Sequence, residues 1–125
     1  MNGSTPSAVA VTLKAAGASA VGLNCSLGPD KIKGIVDEFL KYSDLPVIVK
    51  PNAGLPKIDS EGNTYFDMDA SSFADEMQCL VDAGASIIGG CCGTSPEYIA
   101  SIYSKYNNIQ PKINKSAKKR YITSE

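Results

Sequence analysis

The chain contains no histidine. A Ser-His-Asp or Cys-His mechanism within these 125 residues is therefore excluded, and any zinc site must use sulfur and oxygen ligands. An excess of charge is also missing. A net charge of -1 gives no reason to expect a nucleic acid or a membrane surface as partner. The one basic run, KSAKKR at 115–120, reads as a solvated linker. No apolar stretch approaches the ~20 residues that a membrane span needs. The opening MNGSTPSAVAVTLKAAG has no charged n-region, and Lys14 interrupts its apolar part, so it does not read as a signal peptide. The expected compartment is the cytoplasm, where thiols stay reduced and serve as metal ligands, catalysts or small buried residues.

What is present is an ordinary globular composition, 43% hydrophobic and 20% charged, enough for one small domain or part of a larger one. Helical patterns alternate with short apolar runs. Thr5-Pro6 opens a helix over 6–16, with Thr as cap and Pro at a tolerated first position. SAVGLN at 19–24 is a strand. GPD at 28–30 opens a second helix to residue 42, with Ile32, Ile35, Val36, Phe39 and Leu40 on one face. LPVIVK at 45–50 is the second strand. The polar segment PNAGLPKIDSEGNTYFDM is long for a connection and is expected to be a functional loop. Asp67 and Asp69 in and after it read as turn and cap residues. Asp69 caps a third helix over 70–83, which Gly84 ends. ASIIGG at 85–90 is the third strand, and Ser95-Pro96 starts a last helix to residue 106. From Asn107 to Glu125 the composition turns polar, which gives a tail or interdomain linker after a domain over 1–106.

This order implies parallel strands with right-handed crossovers. The fold class is α/β, either a small doubly wound sheet or three βα units of a (β/α)8 TIM-type barrel. Strand starts at Ser19, Leu45 and Ala85 lie 26 and 40 residues apart. That is near the roughly 30 residues per unit of a barrel that needs ~250 in all. Active groups of such proteins sit at the C-terminal ends of strands. Cys25 follows the first strand, Asn52 the second, and Cys91 and Cys92 the third. Cys79 lies inside the third helix and reads as a small buried residue. Three thiolates with a vacant fourth place suit catalytic zinc, and glycines flanking Cys91-Cys92 allow the turn that aims both at one ion. Zinc with three thiolates is net negative and a poor generator of hydroxide. It suits holding a substrate thiol deprotonated for alkylation. The alternative, thiols that are merely buried, stays open on spacing alone.

Three segments, AVGLNCSLGP (20–29), PVIVKPNAGLP (46–56) and IIGGCCGTSPEYI (87–99), resemble the homocysteine-binding domain of the zinc-dependent homocysteine S-methyltransferases. The resemblance covers about 4–106. The PNAGLP form looks most like the cobalamin-dependent methionine synthase branch. The resemblance implies a (β/α)8 barrel and methyl transfer to the sulfur of homocysteine, giving methionine. It implies zinc on Cys25, Cys91 and Cys92. Asn52 is then expected near the open zinc position, as ligand or loop support, and Asn24 beside the substrate site as support for Cys25. Methylcobalamin and methyltetrahydrofolate would be served by other domains or proteins. The family's first βα units have no match here, so this chain is expected to be the C-terminal part of a barrel. Alone it should expose two strand edges and an apolar inner face. The competing expectation is a zinc- or thiol-binding, non-catalytic fragment that needs a partner chain.

Overall fold

The computed structural model describes residues 3–25 and 27–112. Helix α1 (Pro6–Ala15) leads into strand β1 (Val21–Asn24), helix α2 (Pro29–Tyr42) and strand β2 (Val47–Lys50). A small hairpin follows, β3 (Lys57–Ile58) and β4 (Thr64–Tyr65). Helices α3 (Ala70–Glu76) and α4 (Gln78–Ala83), strand β5 (Ile87–Ile88) and helix α5 (Pro96–Tyr106) complete the order. The linker expected from residue 107 lies outside the described residues beyond Lys112.

The helix starts are those the sequence marks. The Thr5 hydroxyl accepts from the Ala8 N–H with Pro6 next, and the Asp69 carboxylate accepts from the Ser72 N–H at 2.8 Å. That bond is the chief reason Asp69 titrates below the usual carboxylate range. Asp67 does not cap. It pairs with Lys57 across the base of the hairpin.

Strands β1, β2 and β5 form one parallel sheet in that order, with Val21 beside Val47 and Ile48 beside Ile87. Val21, Val47 and Val49 face the helices and are buried with Ile32, Val36 and Phe39 of α2, Phe73 of α3, Leu80 of α4 and Met77 between those two helices. The opposite face is more open: Ile87 is 50% exposed, and Lys50 is exposed. Helix α5 is tied down by two tyrosines. Tyr98 Oη donates to the Met68 carbonyl and Tyr106 Oη to that of Ala74, each at 2.6 Å.

Three boundaries differ from the sequence reading. The strands are shorter, and β5 keeps only two residues of the expected six, because only Ile87 and Ile88 pair with β2. The expected single helix over 70–83 is interrupted at Met77, where the Leu80 N–H also bonds back only three residues. The expected long loop contains the β3–β4 hairpin. Its turn is closed by Asp59, whose carboxylate accepts from the N–H groups of Glu61 and Asn63. Two-residue strands carry too little pattern to be read from sequence.

Candidate metal centre

Residues 50–53, the last of β2 and the three that follow it, are the template on which the site is built. The Cys25 N–H donates to the Lys50 carbonyl at 2.9 Å, and the Asn52 N–H donates to Leu27 at 3.0 Å. On the other side, the Cys91 N–H donates to Pro51 and the Ala53 N–H to Cys92, each at 2.9 Å. The Asn52 side chain, 4% exposed, closes the clamp: its Oδ1 accepts from the Cys92 N–H at 3.2 Å. Both cysteine loops are thereby registered on one strand end.

The three thiols converge. Cys25 Sγ is 3.5 Å from Cys92 Sγ, and Cys91 Sγ is 3.9 Å from Cys92 Sγ. All three sulfur atoms lie within 4.8 Å of one another, and they are thiols rather than disulfides. Zinc–sulfur bonds of about 2.3 Å in tetrahedral geometry put ligand sulfurs about 3.8 Å apart. The two close pairs straddle that distance, so the donor set fits zinc in number, softness and spacing. Without a cation the crowding acts the other way. Hydrogen bonding to Cys25 and then to Cys91 pushes the Cys92 thiol up to about 11. Metal uptake must therefore displace protons.

Cys25 sits at φ 68, the left-handed region that a side-chain-bearing residue seldom adopts. Such strain is held where the surroundings over-determine it. Here the hydrogen bond from its N–H to Lys50 and the loop to Leu27 do so. We expect metal-free Cys25→Gly to be about 1 kcal/mol more stable than Cys25→Ala, because glycine tolerates this conformation. Urea midpoints of the two variants check this.

Asn24 ends β1, exposed, opposite Lys50. Cys79 stands apart from the cluster in α4. It is partly buried, its Sγ donates to the Glu76 carbonyl at 3.2 Å, and burial pushes its thiol up. Thr94 and Phe66 were not legible as site residues. Thr94 Oγ1 donates to the Cys91 carbonyl at 2.7 Å and closes the turn after the cysteine pair. The Phe66 ring covers Gly93. The only sequence signal for Phe66 is an aromatic residue at the end of a polar stretch.

The parallel α/β fold and the thiol cluster are consistent with one family, and the sequence decides it. The model of the homocysteine S-methyltransferase family matches residues 1–106, and the chain belongs to that family. It is similar to the methionine synthase of Mycobacterium leprae (strain TN), 33% identical over 101 residues, which is 80% of this chain and 8% of that one. The methionine synthase of Mycobacterium tuberculosis (strain ATCC 25618 / H37Rv) is 31% identical over 109 residues, 86% of this chain and 9% of that one. The chain thus spans less than a tenth of the length of these relatives. Among the described residues no helix is long and apolar enough to cross a membrane.

Proposed function

We propose that this chain is the zinc-bearing part of a homocysteine S-methyltransferase and serves methyl transfer to the thiol of homocysteine, giving methionine. The observation that carries this is the convergence of Cys25, Cys91 and Cys92, 67 residues apart at their closest sulfur pair, at one end of a parallel sheet. Cys25, Cys91 and Cys92 would hold the metal, leaving one position for a substrate sulfur. Zinc, when bound there, would keep a homocysteine thiol deprotonated near neutral pH. The three cysteines contribute negative charge that keeps such a sulfur nucleophilic and disfavours hydrolytic chemistry. In the transfer, a sulfur–carbon bond forms to the methyl group, the bond from methyl to its carrier breaks, and the thiol proton goes to solvent. Asn52 holds the Cys92 backbone and, with a metal bound, would lie near the position left for substrate. Asn24 supports the Cys25 loop from the end of β1.

The same reading makes the sheet and its helices the C-terminal three βα units of a (β/α)8 barrel, a domain over 1–106, with 107–125 as a linker. The parallel order β1-β2-β5, helices packed on one face and the more open opposite face support it. Methylcobalamin, recharged from methyltetrahydrofolate, would reach the site on other domains or proteins, and the setting would be cytoplasmic. The relatives' name, methionine synthase, supports methionine as the product, and the PNAGLP segment at 51–56 supports the cobalamin-dependent branch.

The test is complementation. The zinc-loaded chain is mixed with the separately purified N-terminal barrel units of a homologous enzyme, and methionine formed from homocysteine and methylcobalamin is measured. Turnover on mixing, with little from either piece alone, is the expected result. Robust turnover by this chain alone would refute the need for a partner. Stoichiometric zinc with no turnover in any mixture would favour a metal- or thiol-binding, non-catalytic fragment.

A further inference from the structure

The turn that carries Cys91 and Cys92 is covered from outside its own loop. Gly93, at φ 78, lies directly beneath Phe66: a Cβ placed on it would stand 2.4 Å from Phe66 Cγ and 2.6 Å from Phe66 Cβ. On the near side of the pair, a Cβ on Gly90 would stand 2.6 Å from both Cγ2 and Oγ1 of Thr94. The cysteine pair is therefore framed by two close packings. Thr94 fills the space over Gly90 within the turn, and Phe66 fills the space over Gly93 from the 53–68 excursion. Phe66 is itself held on both sides: before it, Tyr65 pairs with Lys57 in the hairpin, and the two residues after it are tied as well. Asp67 pairs with Lys57, and the Met68 carbonyl accepts from Tyr98 Oη.

We propose that Phe66 is a positioning residue for the metal centre: its half-buried ring, packed on Gly93, fixes the Cys91–Cys92 turn so that Cys92 faces Cys25. This rests on the metal-site reading above and adds a role for the hairpin excursion, which contributes no ligand of its own. Without the ring, the turn keeps its Thr94 hydrogen bonds to Cys91 but loses the surface against which Gly93 is pressed. The ligand most affected is Cys92, which immediately precedes Gly93. Groups hydrogen-bonded to metal ligands are worth about 10–100-fold in metal affinity, and this packing support is set against the lower end of that range.

The test compares the wild-type chain with Phe66→Ala, Phe66→Tyr and, as a control for general destabilisation, Val36→Ala in the buried face of α2. One arm measures zinc affinity by competition with a chromophoric chelator and the visible absorption of the cobalt(II)-loaded chain. A second arm needs no metal. It follows formation of the Cys25–Cys92 disulfide by mass spectrometry as diamide takes up the two thiol hydrogens. Phe66→Ala is expected to lose at least about tenfold in zinc affinity, to alter the cobalt spectrum and to slow the disulfide. Phe66→Tyr, which keeps the ring, and Val36→Ala, which only weakens the core, are expected to match wild type in all three. If Phe66→Ala matches wild type in affinity, spectrum and disulfide rate, or if Val36→Ala shifts them as far, the positioning role is wrong. If the wild-type chain takes up no metal, the metal reading fails, and the disulfide arm still decides whether Phe66 sets the turn.

Discussion

Purified under reducing conditions, the chain is expected to bind about one zinc, and Cys25→Ser, Cys91→Ser and Cys92→Ser are each expected to lose it. A serine hydroxyl keeps its proton near neutral pH and is a harder donor than a thiolate, so each change removes one ligand from a set that has only three. Loss of an outer-shell support costs 10–100-fold, so loss of a ligand should exceed about a hundredfold. Cys79→Ser is the internal control, because Cys79 lies in α4 outside the cluster and its Sγ bonds the Glu76 carbonyl. Metal content by atomic emission and a competition titration check the stoichiometry and the affinities. Binding must release the proton that its neighbours hold on the Cys92 thiol, so affinity is expected to fall as the pH is lowered. Zinc retained by Cys25→Ser would mean that the metal sits on Cys91 and Cys92 with other donors, and the proposed centre would be wrong.

Phe73→Ala is expected to cost about 3–5 kcal/mol. Phe73 of α3 is fully buried, and its ring meets that of Tyr98 of α5 edge-on, centroids 5.6 Å apart. Domains are stable by only about 5–15 kcal/mol, so this one truncation leaves the chain close to unfolding. The urea midpoint should fall at unchanged slope, whereas Leu13→Ala, at a site 41% exposed, should stay within about 0.5 kcal/mol of wild type. The damage should also reach the site. Tyr98 carries the hydrogen bond to the Met68 carbonyl, two residues from Phe66, so loosening α5 loosens the cover over Gly93. Zinc at a hundred times its dissociation constant restores about 2.7 kcal/mol, part of that loss, and zinc addition is therefore expected to raise the variant's urea midpoint. An unchanged midpoint in Phe73→Ala would show that α3 and α5 do not form one core.

Both expectations depend on the same feature. The cysteine loops contribute little packing of their own and borrow rigidity from β2 and from the helices behind it. The buried residues of the sheet, Val47 and Val49, fix the strand whose end carries Lys50, Pro51 and Asn52. Those three residues supply the carbonyls and the amide to which the N–H groups of Cys25, Cys91 and Cys92 are tied. A metal there would stabilise the sheet, and the sheet presents the three thiols.

Local chemistry made much of this legible in the sequence. Thr5 and Asp69 announce helix starts because a short polar side chain satisfies free N–H groups, and that depends only on residues within one turn. The apolar face of α2 shows at helical spacing. Strand–helix alternation then places Cys25, Asn52 and the Cys91-Cys92 pair at one end of a parallel sheet, since every parallel strand points the same way. Side-chain positions across long separations were decided only by the tertiary structure. The break at Met77 has no glycine or proline to mark it. The hairpin pairs only two residues a side. The left-handed backbone of Cys25, the amide of Asn52 turned to Cys92, and Phe66 lying over Gly93 all follow from how loops 27 to 67 residues apart meet. No short-range preference encodes such meetings, because they are set by strand register and by the space the helices leave.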